Sequence, residues 1–142
     1  DLSVSFPDVN SQTIHQTPTA VSKLPGERVE LKCTMQRSST SILYMYWYRQ
    51  YPGKEPQMMF YSIAAQNVKS EGMVDGFTAE RPSNFDFNLE SSSLREDHSA
   101  VYFCAWSPDR DNTSTPLNFG TGTKLTVLGE NDTIRPAKVT VF

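Results

Sequence analysis

Long apolar runs are missing from this sequence. No stretch of about 18 consecutive apolar residues occurs, so it holds no candidate transmembrane helix. The N-terminus lacks the charged-then-apolar pattern of a signal peptide, which gives the expectation of a mature or truncated piece whose leader and anchor lie outside it. Sustained helical periodicity is absent, as are internal repeats and low-complexity tracts. Charge of one sign is scarce: a formal net charge of -3 and a pI near 5.3 supply no basic field, so neither nucleic acid nor direct membrane contact is expected. Only Cys33 and Cys104 carry thiols, which allows at most one intrachain bridge and excludes a cysteine-only zinc site. The two histidines, His15 and His98, sit in no nucleophile motif, and no glycine-rich phosphate loop appears. His98 between Asp97 and Ser99 imitates a triad only on paper, because neighbours in an extended segment point different ways; it is expected as a surface-turn histidine. No catalytic residue, metal or cofactor is therefore expected.

What is present fits one globular domain with short flanks: 142 residues, 37% hydrophobic and 20% charged. Short alternating or apolar runs, each fenced by turn formers, recur at the spacing of an all-β sandwich. Val29, Leu31 and Cys33 alternate with Glu30, Lys32 and Thr34, as a half-buried strand requires. Residues 43–50 are aromatic-rich, and Pro52-Gly53 turns them toward a second strand over 57–63. Strands are also expected over 77–80, 85–91, 101–105 and 124–128. Residues 1–10 read as a lead of no assigned role. Residues 129–136 read as a linker and 138–142 as the truncated start of a further domain. Asn112-Thr113-Ser114 and Asn131-Asp132-Thr133 are glycosylation sequons, so Asn112 and Asn131 favour the secretory route.

Cys33, Trp47, Tyr102 and Cys104 stand in the order and approximate spacing of the pin of an immunoglobulin domain. That resemblance implies an immunoglobulin V-type Greek-key β-sandwich with one inter-sheet disulfide between Cys33 and Cys104. It also implies a core tryptophan, Trp47, packed on the bridge, and a tyrosine corner at Tyr102. The bridge would close a 71-residue separation, worth about 4 kcal/mol in the chain-entropy model. Two unpaired buried thiols are the alternative.

The resemblance narrows further along the chain. Tyr46-Trp47-Tyr48-Arg49-Gln50, Pro52-Gly53-Lys54 and Phe60-Tyr61-Ser62 resemble the framework of a T-cell-receptor beta variable region. Residues 94–107, ending in Cys104-Ala105-Trp106-Ser107, resemble the end of such a gene segment, and Phe119-Gly120-Thr121-Gly122 with residues 123–128 its joining segment. The likeness covers about residues 11–128, and the tail from Glu130 is similar to the start of a beta constant region. Gly120-Thr121-Gly122 with Val127-Leu128 also suits an antibody light chain; the Tyr-Arg-Gln stretch favours the receptor. One departure stands out. Many such domains pair an arginine, just before the phenylalanine at 77, with an acid corresponding to Asp97. Here Gly76 replaces the arginine, leaving Arg81, Arg95 or water as partners for Asp97.

The resemblance implies a chain anchored at the extracellular face of the plasma membrane, pairing with an alpha-like variable domain and recognising peptide held by a major-histocompatibility molecule. Signalling would run through chains bound to regions absent here. Strand parity sends Tyr48, Gln50 and Phe103 outward if Trp47 and Cys104 point inward. With Pro56 and Phe119 they form an expected partner-chain patch. The hypervariable loops fall near residues 36–44, 62–67 and 106–118. Candidate antigen contacts are Tyr44, Ser62, Gln66, Asn67, Trp106, Pro108, Asp109, Arg110 and Asp111, with Arg110 foremost. A self-associating adhesion domain using the same patch is the other reading, though it has no need of a variable junction before Phe119.

Overall fold

The computed structural model describes residues 14–36, 44–72, 74–108 and 117–129. Among the described residues, eleven strands run in chain order: β1 (Ile14–Thr17), β2 (Ala20–Lys23), β3 (Val29–Met35), β4 (Tyr44–Gln50), β5 (Gln57–Ala64), β6 (Asn67–Ser70), β7 (Thr78–Ser83), β8 (Asp86–Ser91), β9 (Ala100–Ser107), β10 (Asn118–Phe119) and β11 (Thr123–Val127). One sheet has the order β1-β3-β8-β7. The other runs β2-β11-β9-β4-β5-β6, with β10 paired to β9. The all-β sandwich expected from the alternating runs is the fold observed. β1, β2, β6 and β10 were not anticipated: none is longer than four residues, and β1 and β2 are held by β3 and β11, strands that do not adjoin them in the chain. Thr17-Pro18 carries the chain from the first sheet to the second, where β2 pairs in parallel with β11.

The alternation in β3 puts Val29, Leu31, Cys33 and Met35 inside. Period-two geometry does the same for Phe87 and Leu89 of β8 and for Tyr102 and Cys104 of β9. The Cys33–Cys104 disulfide joins the facing sheets, with a Cα separation of 6.3 Å. Trp47 lies opposite Cys104 in the β4–β9 register, and its Nε1 donates across the sandwich to the Phe87 carbonyl at 3.1 Å. Indole burial and a satisfied donor thus tie the layers at one residue.

Gln16 of β1 is a buried polar side chain with a structural task. Its Nε2 donates to the Tyr102 carbonyl (2.7 Å), while its Oε1 accepts from the Cys104 N–H (3.2 Å) and the Gly122 N–H (3.1 Å). A single amide therefore satisfies backbone groups of β9 and of the turn before β11 at once.

At the base of the domain, Tyr102 Oη donates to the His98 carbonyl at 2.6 Å, forming the tyrosine corner. His98 itself corrects the expectation of a surface histidine: it is 1% exposed. Its Nδ1 accepts the Arg95 N–H at 3.0 Å, and its ring stands edge-on to Phe77 at 4.8 Å. The ring's Cε1–Nε2 edge rests against Gly76, where an added Cβ would lie 2.8 Å from Cε1. Residue 98, and not 97, is therefore what faces position 76. Asp97 points to solvent and pairs with Arg95 at 3.0 Å, and Arg95 also meets Asp75 at 3.3 Å. A neutral ring against a glycine occupies the place where the resemblance puts an ion pair.

Candidate functional site

The outward face of the seven-stranded sheet is the first candidate. Parity places Tyr46, Tyr48 and Gln50 of β4 on it, beside Phe103 and Ala105 of β9 and Tyr61 of β5. Phe119 of β10 projects over this face at 48% exposure. Its ring meets Tyr48 edge-on at 5.3 Å and Phe103 at 6.1 Å. Quadrupole-matched edge contacts hold these aromatics in one arrangement while leaving a large hydrocarbon surface in water. Burial, with Tyr46 and the Glu71 carboxylate adding, pushes the Tyr48 phenol above its ordinary value, so it stays a neutral hydrogen-bond donor. Gln50 is half-buried, and its Nε2 donates to the Lys54 carbonyl at 2.9 Å, which fixes the orientation of the amide. Pro56 is exposed on the connection to β5.

Sequence reasoning missed Tyr46 and Tyr61 on this face, although the parity that selects Tyr48 selects Tyr46 as well. Tyr46 is nearly covered, its hydroxyl 2.7 Å from Ser107 Oγ. Below the aromatics, Gln50, Tyr51 and Pro52 face Val101, Lys124 and Thr126 across a groove.

The second candidate is the set of loops at one end of the sandwich. Tyr44 and Trp106 are half-buried at strand ends, and Trp106 pairs with Met45 and Asn118 in the sheet. Pro108 is exposed. The loop expected over 62–67 contracts to a two-residue turn, because β5 continues to Ala64 and β6 starts at Asn67. Ile63 (39% exposed) and Gln66 form its accessible side, and Asn67 is half-buried. Ser62 is corrected: at 0% exposure it faces the core and cannot touch a ligand. Its carbonyl and hydroxyl instead accept from the buried Arg81 guanidinium at 2.9 and 3.0 Å. Burial pushes the Arg81 pKa down to about 10, still far above neutrality. Asp109, Arg110, Asp111, Asn112 and Asn131, and the segments 1–10 and 130–142, lie outside the described residues.

Among the described residues, no group of three or more His, Cys, Asp or Glu side chains could hold a metal ion, and no helix is long and apolar enough to cross a membrane.

Comparison with known proteins places these features. Residues 16–128 match the immunoglobulin V-set domain family. The human T cell receptor beta variable 30 is 39% identical over 103 residues, covering 72% of this chain and 90% of the relative. A mouse T-cell receptor beta chain V region, LB2, is 34% identical over 115 residues, 81% of this chain and 82% of that one. A crystal structure of a chicken TCR superposes with a TM-score of 0.73 at 40% identity, covering 83% of this chain and 50% of the chicken chain.

Proposed function

This chain belongs to the immunoglobulin V-set family, as a variable domain of the T-cell-receptor beta kind, and on that premise we propose that it pairs with an alpha-like variable domain to bind peptide presented by a major-histocompatibility molecule. T-cell-receptor chains are non-enzymatic receptors whose variable domains recognise antigen outside the cell. The observation that carries the pairing is Phe119, held edge-on by Tyr48 and Phe103 yet 48% exposed. A preset aromatic cluster loses little conformational freedom on docking, so most of the energy from burying its area is retained. Gln50 supplies a polar centre to the patch and Pro56 its rim, an arrangement of apolar core and polar register common at protein interfaces.

Antigen contact falls to Tyr44, Gln66, Asn67, Trp106 and Pro108, together with Asp109, Arg110 and Asp111. The chain acts at the extracellular face of the plasma membrane as part of a longer anchored protein, with signals carried by associated chains. Glycans at Asn112 or Asn131 belong to the same secretory reading.

The test is co-expression with alpha-chain variable domains, followed by mass measurement of the purified product and of a Gln50→Glu, Phe119→Ala variant. A one-to-one heterodimer lost in the variant is expected. A homodimer through the same face, or a monomer with every partner, overturns the pairing and favours a self-associating adhesion domain.

A further inference from the structure

The turn Ala65-Gln66 is made of the wrong residues for its geometry. A two-residue hairpin connection requires positive φ at one or both central positions, which selects glycine, asparagine or aspartate. Here Gln66 adopts φ 66, the positive-φ non-glycine residue of the described chain. The register shifts between Tyr61 and Ala64, yet the closing pair Ala64–Asn67 is kept, so the connection is held to two residues and one of them must take a positive φ. The ladder thus demands a conformation that alanine and glutamine do not favour.

The ties come from β7 and the turn after it. Gln66 N–H donates to the Arg81 carbonyl at 2.8 Å, and Ala65 N–H donates to Asn84 Oδ1 at 3.0 Å. The Arg81 side chain, 1% exposed, then locks both partners. It donates from Nη1 to the Ser62 carbonyl and Oγ, from Nε to the Ser83 carbonyl at 3.0 Å, and from Nη2 to the Asn84 carbonyl at 2.7 Å. Ser62 Oγ reaches on to the Ala64 carbonyl at 2.9 Å. A planar fork with fixed donor directions suits this task in a way that a lysine ammonium does not.

We infer that Arg81 is the positioning residue of the second recognition loop, holding Ala65 and Gln66 in a shape that their own chemistry disfavours. It touches no ligand. It acts through Ser62 below the hairpin and through Asn84 beside it, so that Ile63 and Gln66 are presented in one preset arrangement. This deepens the recognition reading above and rests on it for biological purpose, whereas the structural role stands apart and is tested without antigen or partner chain.

The experiment is residue-resolved amide hydrogen exchange on the 142-residue chain. In Arg81→Met, the Ala65 and Gln66 amides should exchange about tenfold faster or more, the effect of losing a buried hydrogen bond. Amides of Cys33, Trp47 and Leu89 should change far less. Adding Gln66→Gly to that variant should recover part of the protection at residue 65, because glycine accepts the left-handed region without cost. Unchanged exchange at 65 and 66 overturns the inference. So does acceleration equal to that of the core amides, which makes Arg81 a filler of the sandwich and nothing more. Arg81→Lys keeps the charge and stem but loses the fork, and is read the same way should Arg81→Met fail to fold.

Discussion

Replacing Gly76 with alanine tests whether the base of this domain is built on a glycine–histidine contact. Two costs arise at one position. Gly76 has φ +90, where an L side chain is strained by about 1–2 kcal/mol. The new Cβ would also sit 2.8 Å from His98 Cε1 and 3.0 Å from Nε2, and relieving such overpacking costs about 1–3 kcal/mol. The ring cannot easily retreat, because Nδ1 is tied to the Arg95 N–H and the Phe77 ring packs against it at 4.8 Å. A total near 3 kcal/mol should lower the melting temperature by roughly 10 °C for a domain of this size. Gly72→Ala is the control: φ is +73 there but nothing lies within 4 Å of the added carbon, so only the backbone cost of about 1–2 kcal/mol applies. Urea unfolding of Gly76→Ala, His98→Ala and the double variant then completes a cycle whose coupling should be about 1–2 kcal/mol. A cost for Gly76→Ala no larger than for Gly72→Ala, or a coupling near zero, refutes the interlock.

Two further outcomes follow from the same packing. Burial, then the Arg95 charge, lowers the proton affinity of His98 in the folded state, so the unfolded chain binds more protons in mild acid. This stability is present above the unfolded histidine value of about 6.5 and is lost as pH falls from there toward the folded value, so unfolding free energy should decline from pH 7 to 5 and the decline should flatten in His98→Gln. An identical slope in the variant rules out His98 as its source. Gln16→Ala strips acceptors from the buried N–H groups of Cys104 and Gly122 and a donor from the Tyr102 carbonyl, which should cost about 2–4 kcal/mol by urea unfolding. A loss under about 1 kcal/mol would mean that water satisfies those groups.

Periodicity identified the inner strands, because β3 and β9 alternate between buried positions and more accessible ones. Cys33, Trp47, Tyr102 and Cys104 were legible through their resemblance to the pin of an immunoglobulin domain, which carries a role for each. The outward placing of Tyr48 and Phe103 followed from parity, a local property of extended chain. Ser62 was misplaced because a loop boundary depends on how far pairing with β6 persists, and β6 itself, Asn67–Ser70, carries no strong strand pattern. His98 was misplaced because its burial requires a neighbour 22 positions earlier to lack a side chain, and nothing near residue 98 in sequence records that.

The amino-acid sequence by itself determined the sandwich, since alternation and turn chemistry act over short distances, and it carried the bridge and the family through motifs that resemble those of receptor variable domains. Tertiary structure alone decided which polar groups work inside. Gln16 reaches Tyr102 across 86 positions and Arg81 reaches Ser62 across 19. Buried polar side chains are tolerated only where distant backbone groups arrive to meet them, and that meeting exists only once the sheets have packed.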